Sequence, residues 1–216
     1  MVTEWTLPVS RTARYATLGT IDSSVRDCWV VCHGYGQLAA EFLTEFEPLR
    51  VPGRVIVAPE GLSRFYLEGE SGAVGASWMT RESRETEIAD YVGYLEAVHH
   101  QIRTRTQNET LRVTAMGFSQ GTATVCRWVG RGSVRPARVV LWGGPLLPDE
   151  ELAEVGERLA ETRFTLVVGT RDRYVDAAAL RREIGRFEAH RIPLDVITFD
   201  GGHRLDGGIL RRLAVW

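Results

Sequence analysis

The chain has 216 residues, of which 44% are hydrophobic and 25% charged, so it is long enough for one well-filled core and short for two. We therefore expect a single domain spanning residues 1–216. The net charge of −2 provides no basic surface for nucleic acid or an anionic membrane, which favours a small or neutral partner.

The sequence contains no apolar run as long as a membrane span, and its first residues lack the basic and apolar regions of a signal peptide. These features predict a cytoplasmic protein without an integral membrane segment. Cys32 adjoins His33, but no second pair of ligands follows at zinc spacing. No metal site is therefore predicted.

The first third of the chain predicts strands at a sheet edge and then buried strands. Trp5–Pro8 and Ala13–Gly19 have the pattern of an antiparallel edge pair. Cys28–Cys32 and Arg54–Pro59 are continuous apolar runs of strand length, which are typical of a sheet covered on both faces. Between them, Ala39–Leu49 carries apolar residues at helical spacing.

Residues 60–81 form the longest stretch without periodicity, and they are rich in glycine and aromatic residues. Long irregular loops in compact domains are often functional, so we expect this segment to shape a substrate pocket. The alternative is a surface excursion whose aromatic rings pack onto the sheet. The predicted pocket residues, including one from a later loop, are Phe65, Tyr66, Trp78, Met79 and Leu146.

The remaining elements alternate between helix and strand, which predicts βαβ units, a mostly parallel sheet with helices on both faces, and functional loops at the carboxyl ends of its strands. The predicted strands are Leu111–Met116, Ala137–Trp142, Phe164–Val168 and Leu194–Phe199. The predicted helices are Ser83–Thr104, Thr122–Gly130, one that begins near Pro148, Val175–Ala189 and Leu205–Val215.

The most informative motif is Gly117-Phe118-Ser119-Gln120-Gly121, which lies between a predicted strand and a predicted helix. This is the pattern of a nucleophile elbow, a turn so tight that the residues two before and two after the serine must lack a bulky side chain. Ser119 would then stand exposed at the carboxyl end of the sheet. The N–H of Gln120 would point to where an oxyanion forms.

A serine hydroxyl needs a base that takes its proton and a carboxylate that orients the base. Downstream of Ser119 the histidines are His190, which ends a predicted helix, and His203, which follows the last strand in a glycine-rich loop; we favour His203. Asp172 follows a buried strand and is the favoured acid. Asp176 competes with it, but its position at the start of a helix suits an N-cap.

The second oxyanion donor is expected in the turn that follows the Cys28–Cys32 strand. There the small Gly34 lets the backbone approach the site, and the N–H of Tyr35 is the best candidate. His33 precedes the serine and directly follows a strand, so we interpret it as a residue that packs against or shapes this loop.

These motifs resemble those of the α/β-hydrolases, and among them the phospholipase/carboxylesterase family that includes the acyl-protein thioesterases. The matches are His33-Gly34, Ala58-Pro59, Trp78, the pentapeptide around Ser119, the Gly169/Asp172/Val175 spacing and Gly202-His203. The resemblance implies a triad of Ser119, Asp172 and His203, with an oxyanion hole formed by the amides of Tyr35 and Gln120. Tyr35-Gly36 and Thr122 depart from the usual thioesterase pattern.

The resulting hypothesis is a cofactor-free serine hydrolase that cleaves a small-molecule ester or thioester through an acyl-enzyme, as a monomer or homodimer. Larger members of the superfamily insert a helical lid after the strand that corresponds to Ala137–Trp142, but the spacing here allows only one helix. An acyltransferase or peptidase would use the same triad. A non-catalytic receptor of the same fold is a further alternative.

Overall fold

The computed structural model describes residues 1–215. In chain order its strands are β1 (Tyr15–Leu18), β2 (Asp27–Cys32), β3 (Arg54–Pro59), β4 (Ser63–Tyr66), β5 (Val74–Ser77), β6 (Arg112–Phe118), β7 (Arg138–Trp142), β8 (Phe164–Gly169) and β9 (Leu194–Phe199). Seven strands form one sheet in the order β1-β3-β2-β6-β7-β8-β9, and β4 pairs with β5. Only the β1–β3 pair of the large sheet is antiparallel.

Helices cover both faces of this sheet. They are α1 (Ala39–Thr44), α2 (Arg84–Thr106), α3 (Gln120–Arg131), α4 (Asp149–Ala160), α5 (Ala177–Ala189) and α6 (Gly207–Leu213). One buried cluster contains apolar residues of α2, α3, α4 and α5, and a second contains those of α1 and α6. The mostly parallel sheet between two helical layers confirms the predicted fold class.

The position of β2 in the sheet explains why its residues Cys28–Cys32 are apolar without interruption. It is hydrogen-bonded to β3 on one side and β6 on the other, and all six of its residues are buried. Its side chains alternate between the two clusters, with Cys28 and Val30 in one and Trp29 and Val31 in the other. Because both faces are covered, alternation of apolar and polar residues would bury polar groups.

The parallel strands bring their carboxyl ends to one edge of the sheet. Loops that follow β2, β6, β7, β8 and β9 begin at this edge, and they carry His33, Ser119, Gly143, Asp172 and His203 respectively. In a parallel sheet this is the edge at which ligands bind. The fold therefore gathers residues that are up to 170 positions apart in the chain, from His33 to His203.

The connection between β7 and β8 contains the single helix α4, as the spacing predicts, so no lid domain stands over this edge. Within the described residues, no helix is both long enough and apolar enough to cross a bilayer.

The prediction of an N-terminal strand pair is wrong. Tyr15–Leu18 forms a strand, but its partner is β3, with Tyr15 opposite Pro59. Trp5 is 89% exposed and Trp5–Pro8 has no regular structure. The edge of β3 offers a longer apolar partner than the proline-containing first segment does, and Pro8 cannot donate a ladder hydrogen bond.

Two further segments differ from the sequence-based expectation. Residues 60–81 are not irregular throughout, because β4 and β5 form an antiparallel hairpin in which Phe65 lies opposite Gly75. These four-residue strands are too short to give a clear period. The helix expected over Ala39–Leu49 ends at Thr44, and a 3₁₀ turn over Glu47–Leu49 follows it, with Pro48 in its first turn.

We predict that Leu95→Ala lowers the free energy of unfolding by about 2–5 kcal/mol, since Leu95 is fully buried between α2 and the sheet. Urea denaturation measures the change. Leu67→Ala is the matched control, because the same atoms are removed from a side chain that is 47% exposed, and it should cost less than about 1 kcal/mol. Equal losses in the two variants would contradict the packing of α2 described here.

Candidate active site

Ser119 occupies a strained turn between β6 and α3. Its φ of 53° and ψ of −116° lie outside the regions that a serine normally adopts. A Cβ at Gly117 would lie 2.1 Å from the carbonyl oxygen of Gly121, and a Cβ at Gly121 would lie 2.2 Å from that of Cys32. Both positions therefore require glycine, which is the steric reason for the motif.

Asp172 and His203 form a polar pair in which the carboxylate is buried and the imidazole is partly buried. The distance from His203 Nδ1 to Asp172 Oδ2 is 2.8 Å, and the Asp172 side chain is 1% exposed. The other oxygen, Oδ1, accepts hydrogen bonds from the backbone N–H groups of Tyr174 (2.8 Å) and Val175 (3.2 Å). With both oxygens fixed, the carboxylate holds the imidazole in one orientation and assigns the Nδ1 proton to this bond.

Aromatic contacts hold the His203 ring against the elbow. Its centroid is 4.9 Å from that of Phe118, the residue before Ser119, and 4.7 Å from that of Tyr174 in an edge contact. Gly143 passes close to the same ring, since a Cβ there would lie 3.0 Å from His203 Cε1. Ser119, Gly143 and Tyr174 line one crevice, so two of the residues next to the His203 ring share that crevice with the serine.

No hydrogen bond joins the Ser119 hydroxyl to the His203 ring among residues 1–215. Such contacts in active sites are often long before substrate binds and tighten in the complex. The structure thus pairs Asp172 with His203 and packs the His203 ring on Phe118, the residue before Ser119.

The turn after β2 approaches the serine closely. A Cβ at Gly34 would lie 3.2 Å from Ser119 Cβ, which explains the need for a small residue at this point. Gly34 N–H donates to Gln37 Oε1 (2.8 Å) and Gly36 N–H to the Ala76 carbonyl (2.9 Å), so the turn is fixed on both sides of Tyr35. The turn predicted to supply an oxyanion donor therefore lies beside Ser119.

His33 is a buried residue whose two ring nitrogens both contact backbone groups. Its ring is fully buried, with Nδ1 2.7 Å from the Gly34 carbonyl and Nε2 accepting the Gly61 N–H at 2.9 Å. Burial lowers the pKa of His33, so the ring is neutral with its proton on Nδ1. It joins the turn after β2 to the segment after β3, which agrees with a residue that shapes the loop.

The crevice beside Ser119 has a volume of about 510 Å³, and it is lined by Met79, one of the residues proposed from the sequence for a substrate pocket. Met79 reaches this position because Gln120 holds its segment. Gln120 Nε2 donates to the Met79 carbonyl (2.9 Å), and its Oε1 accepts the Trp78 N–H (3.2 Å). The side chain of Gln120 thus ties the residues after β5 to the elbow, a contact that the sequence does not reveal.

Two predicted pocket residues lie in the core instead. Trp78 is 1% exposed, donates its indole N–H to the His33 carbonyl (2.8 Å) and packs on the His33 ring. Leu146 is 2% exposed and belongs to the cluster beneath the sheet, with its backbone N–H bound to Glu183. Burial of a large indole with a satisfied N–H stabilises the fold, so these two predictions are corrected.

The other two predicted pocket residues lie on the β4–β5 hairpin. The Phe65 ring is 5.1 Å from the Tyr35 ring, and Tyr66 is 48% exposed. Sequence reasoning missed three residues of the site: Tyr174, which contacts His203, and the arginines Arg81 and Arg127, which line the crevice. The position of Tyr174 two residues after Asp172 was the available signal.

The chain has the α/β-hydrolase fold. It superposes on esterase PE8 with a TM-score of 0.71 and 18% identity, over 94% of this chain and 97% of that one. Its TM-score against acyl-protein thioesterase 2 of Zea mays is 0.72, with 18% sequence identity, and the superposition covers 95% of this chain and 97% of that one. Its TM-score against a carboxylesterase from Mesorhizobium loti is 0.72, with 18% sequence identity, and the superposition covers 93% of each chain. No protein-family model matches the sequence, and no curated protein does.

We predict that Gly121→Ala destabilises the fold by about 1–3 kcal/mol or more, because its methyl group would overlap the Cys32 carbonyl. Gly93→Ala in α2 is the matched control. A Cβ there meets nothing within 4 Å, so helix propensity alone should stabilise this variant by about 0.5–1 kcal/mol. Thermal and urea unfolding compare the two, and a neutral Gly121→Ala would contradict the close contact at the elbow.

Proposed function

We propose that this chain is a serine hydrolase that cleaves carboxylic ester or thioester bonds through an acyl-enzyme. The observation that carries the proposal is a serine on a strained elbow, with a hydrogen-bonded Asp172–His203 pair whose imidazole packs on Phe118, the residue before that serine. That combination provides a nucleophile, a base and a group that orients the base.

In the proposed mechanism, the Oγ of Ser119 attacks the carbonyl carbon while Nε2 of His203 takes its proton. The tetrahedral intermediate then collapses as His203 returns that proton to the leaving alcohol or thiol. Water repeats the sequence on the acyl-enzyme and releases the acid. Asp172 stays ionised and stabilises the imidazolium that forms in each half.

We assign the oxyanion to the backbone N–H groups of Tyr35 and Gln120. Neither N–H has a hydrogen-bond partner among the described residues. The Gln120 N–H belongs to the first residue of α3, where the helix leaves its amides unpaired and its dipole favours negative charge. The close approach of Gly34 to Ser119 supports a position for the Tyr35 amide on the same intermediate.

The crevice supports small or medium acyl groups as substrates. Its volume of about 510 Å³ lies in the usual range for small-molecule sites, and no lid domain extends it into a long tunnel. The names of the structural neighbours, which include esterases and a thioesterase, agree with this reaction class.

We expect Ser119→Ala to lower kcat on p-nitrophenyl esters by several orders of magnitude, because no other group supplies the nucleophile. Initial rates across chain lengths from acetate to palmitate measure this effect, and rates should peak at short or medium chains. Ser23→Ala is the control, since Ser23 is exposed and does not line the crevice. A loss of less than about tenfold in Ser119→Ala would refute the assignment.

A second prediction separates Asp172 from its competitor Asp176. In Asp172→Asn, Oδ1 can keep its backbone hydrogen bonds, but an amide N–H2 then faces His203 Nδ1 and forces the wrong tautomer. We expect kcat to fall by about 10³–10⁴.

Asp176→Asn should retain the activity of the unchanged protein. Asp176 caps α5 by accepting the Ala179 N–H at 2.7 Å, and asparagine caps helices as well as aspartate does. Steady-state kinetics on one ester compares the two variants. A larger loss in Asp176→Asn than in Asp172→Asn would reverse the assignment of the acid.

A further inference from the structure

The crevice beside Ser119 has an unusual charge. Among the described residues that line it, only Arg81 and Arg127 are charged, and no carboxylate lines it. A positive crevice without an acid attracts substrates that carry negative charge. The two guanidinium groups differ in whether they are available to bind such a substrate.

Arg127 is already occupied. Its Nε is 2.7 Å from Glu151 Oε2 and its Nη2 is 2.8 Å from Glu151 Oε1, and both side chains are buried. Burial opposes ionisation of Glu151, but the hydrogen bonds from Arg127 hold the pKa of this carboxyl below its usual range. This bidentate pair cancels most of the charge of Arg127, which also donates to the Tyr91 hydroxyl (3.2 Å).

Arg81 is exposed and makes no ion pair or hydrogen bond among residues 1–215. Its backbone is nevertheless fixed by its neighbours. Thr80 N–H donates to Glu87 Oε2 (2.6 Å), and the Thr80 hydroxyl accepts the Glu82 N–H (3.1 Å). A guanidinium on an anchored turn, facing the crevice of the proposed nucleophile, has the reach and the free donors to bind a ligand.

A further cation, Arg173, stacks on a residue that lines the crevice. The guanidinium of Arg173 lies 4.7 Å from the centroid of the Tyr174 ring, and Tyr174 lines the crevice and contacts His203. This stacking uses the face of Arg173 and leaves its charge unpaired among the described side chains. Arg173 therefore adds a positive charge beside Tyr174.

We propose that Arg81 is a specificity residue that binds a carboxylate of the substrate, so that the preferred substrates are esters or thioesters that also carry a carboxylate. This inference rests on the proposed function. One free guanidinium matches one carboxylate in charge, and its paired N–H groups match the two oxygens. A neutral ester would leave Arg81 to solvent and gain nothing from it.

The test compares esters that differ only in that charge. The first pair carries it on the acyl half: mono-4-nitrophenyl adipate and its neutral methyl ester. The second pair carries it on the leaving half: 4-acetoxybenzoate and its methyl ester. Rates with Ser119→Ala are subtracted, because a carboxylate can promote hydrolysis of its own ester. The measured quantity is the ratio of kcat/KM for the charged member to that for the neutral member.

We expect the unchanged protein to favour the charged member of at least one pair. Arg81→Gln should lower that ratio about ten- to hundredfold, mainly through KM, since a charge-assisted hydrogen bond is lost. Arg81→Lys should restore part of it, because lysine keeps the charge but not the paired donors. Added salt should lower the ratio in the unchanged protein.

Arg105→Gln is the matched control. Arg105 is exposed in the last turn of α2 and does not line the crevice, so both ratios should stay at the original value. If Arg81→Gln leaves both ratios unchanged while hydrolysis still depends on Ser119, this inference fails and the proposed function stands. If no ester shows hydrolysis that depends on Ser119, the proposed function fails, and this inference with it.

Discussion

The close contact of backbone with backbone at the elbow is the constraint on which the rest of the site depends. Gly117 and Gly121 let β6 and α3 meet at a distance that no side chain permits, and the turn between them forces Ser119 to a positive φ. The strain is held from both sides. Ser119 N–H donates to the Trp142 carbonyl of β7 (2.9 Å), and the Thr122 hydroxyl donates to the Ser119 carbonyl (2.7 Å). A strained conformation persists only where its surroundings over-determine it, and here the sheet, the helix and a side chain all do so.

A second set of contacts fixes the loops around the serine to the elbow. His33, buried and neutral, joins the turn after β2 to the segment after β3 through Gly61. Trp78 donates to the His33 carbonyl, and Gln120 binds the backbone on both sides of Trp78. Since every partner in this chain of hydrogen bonds is buried or half-buried, loss of one donor leaves another group unsatisfied. These hydrogen bonds therefore fix the backbone of Met79, which forms one side of the crevice, to the elbow.

The sequence predicted the sheet, and it predicted loops carrying Ser119, Asp172 and His203 at the carboxyl ends of the strands, because these features follow local rules. Continuous apolar runs indicate buried parallel strands, and an acid at the start of a helix indicates a cap, which is how Asp176 was separated from Asp172. The pocket followed no such rule. Trp78 and Met79 are neighbours in a glycine-rich segment, yet one lies in the core and the other in the crevice, because the hydrogen bonds of Gln120 and His33 are tertiary. Short strands such as β4 and β5, and the partner of β1, likewise depend on contacts distant in sequence.

The charge of the crevice depends on the short connection between β7 and β8. The connection between β7 and β8 is a single helix, α4, which leaves the edge of the sheet open to solvent. That helix supplies Glu151, whose carboxylate forms ion pairs with Arg127, Arg84 and Arg131. An open site cannot select substrates by enclosing them in apolar walls. Arg127 is neutralised by Glu151, whereas Arg81 is exposed and unpaired among the described residues, so the open site can select substrates by their charge. This selection does not require an enclosed pocket, because a guanidinium keeps its charge in water.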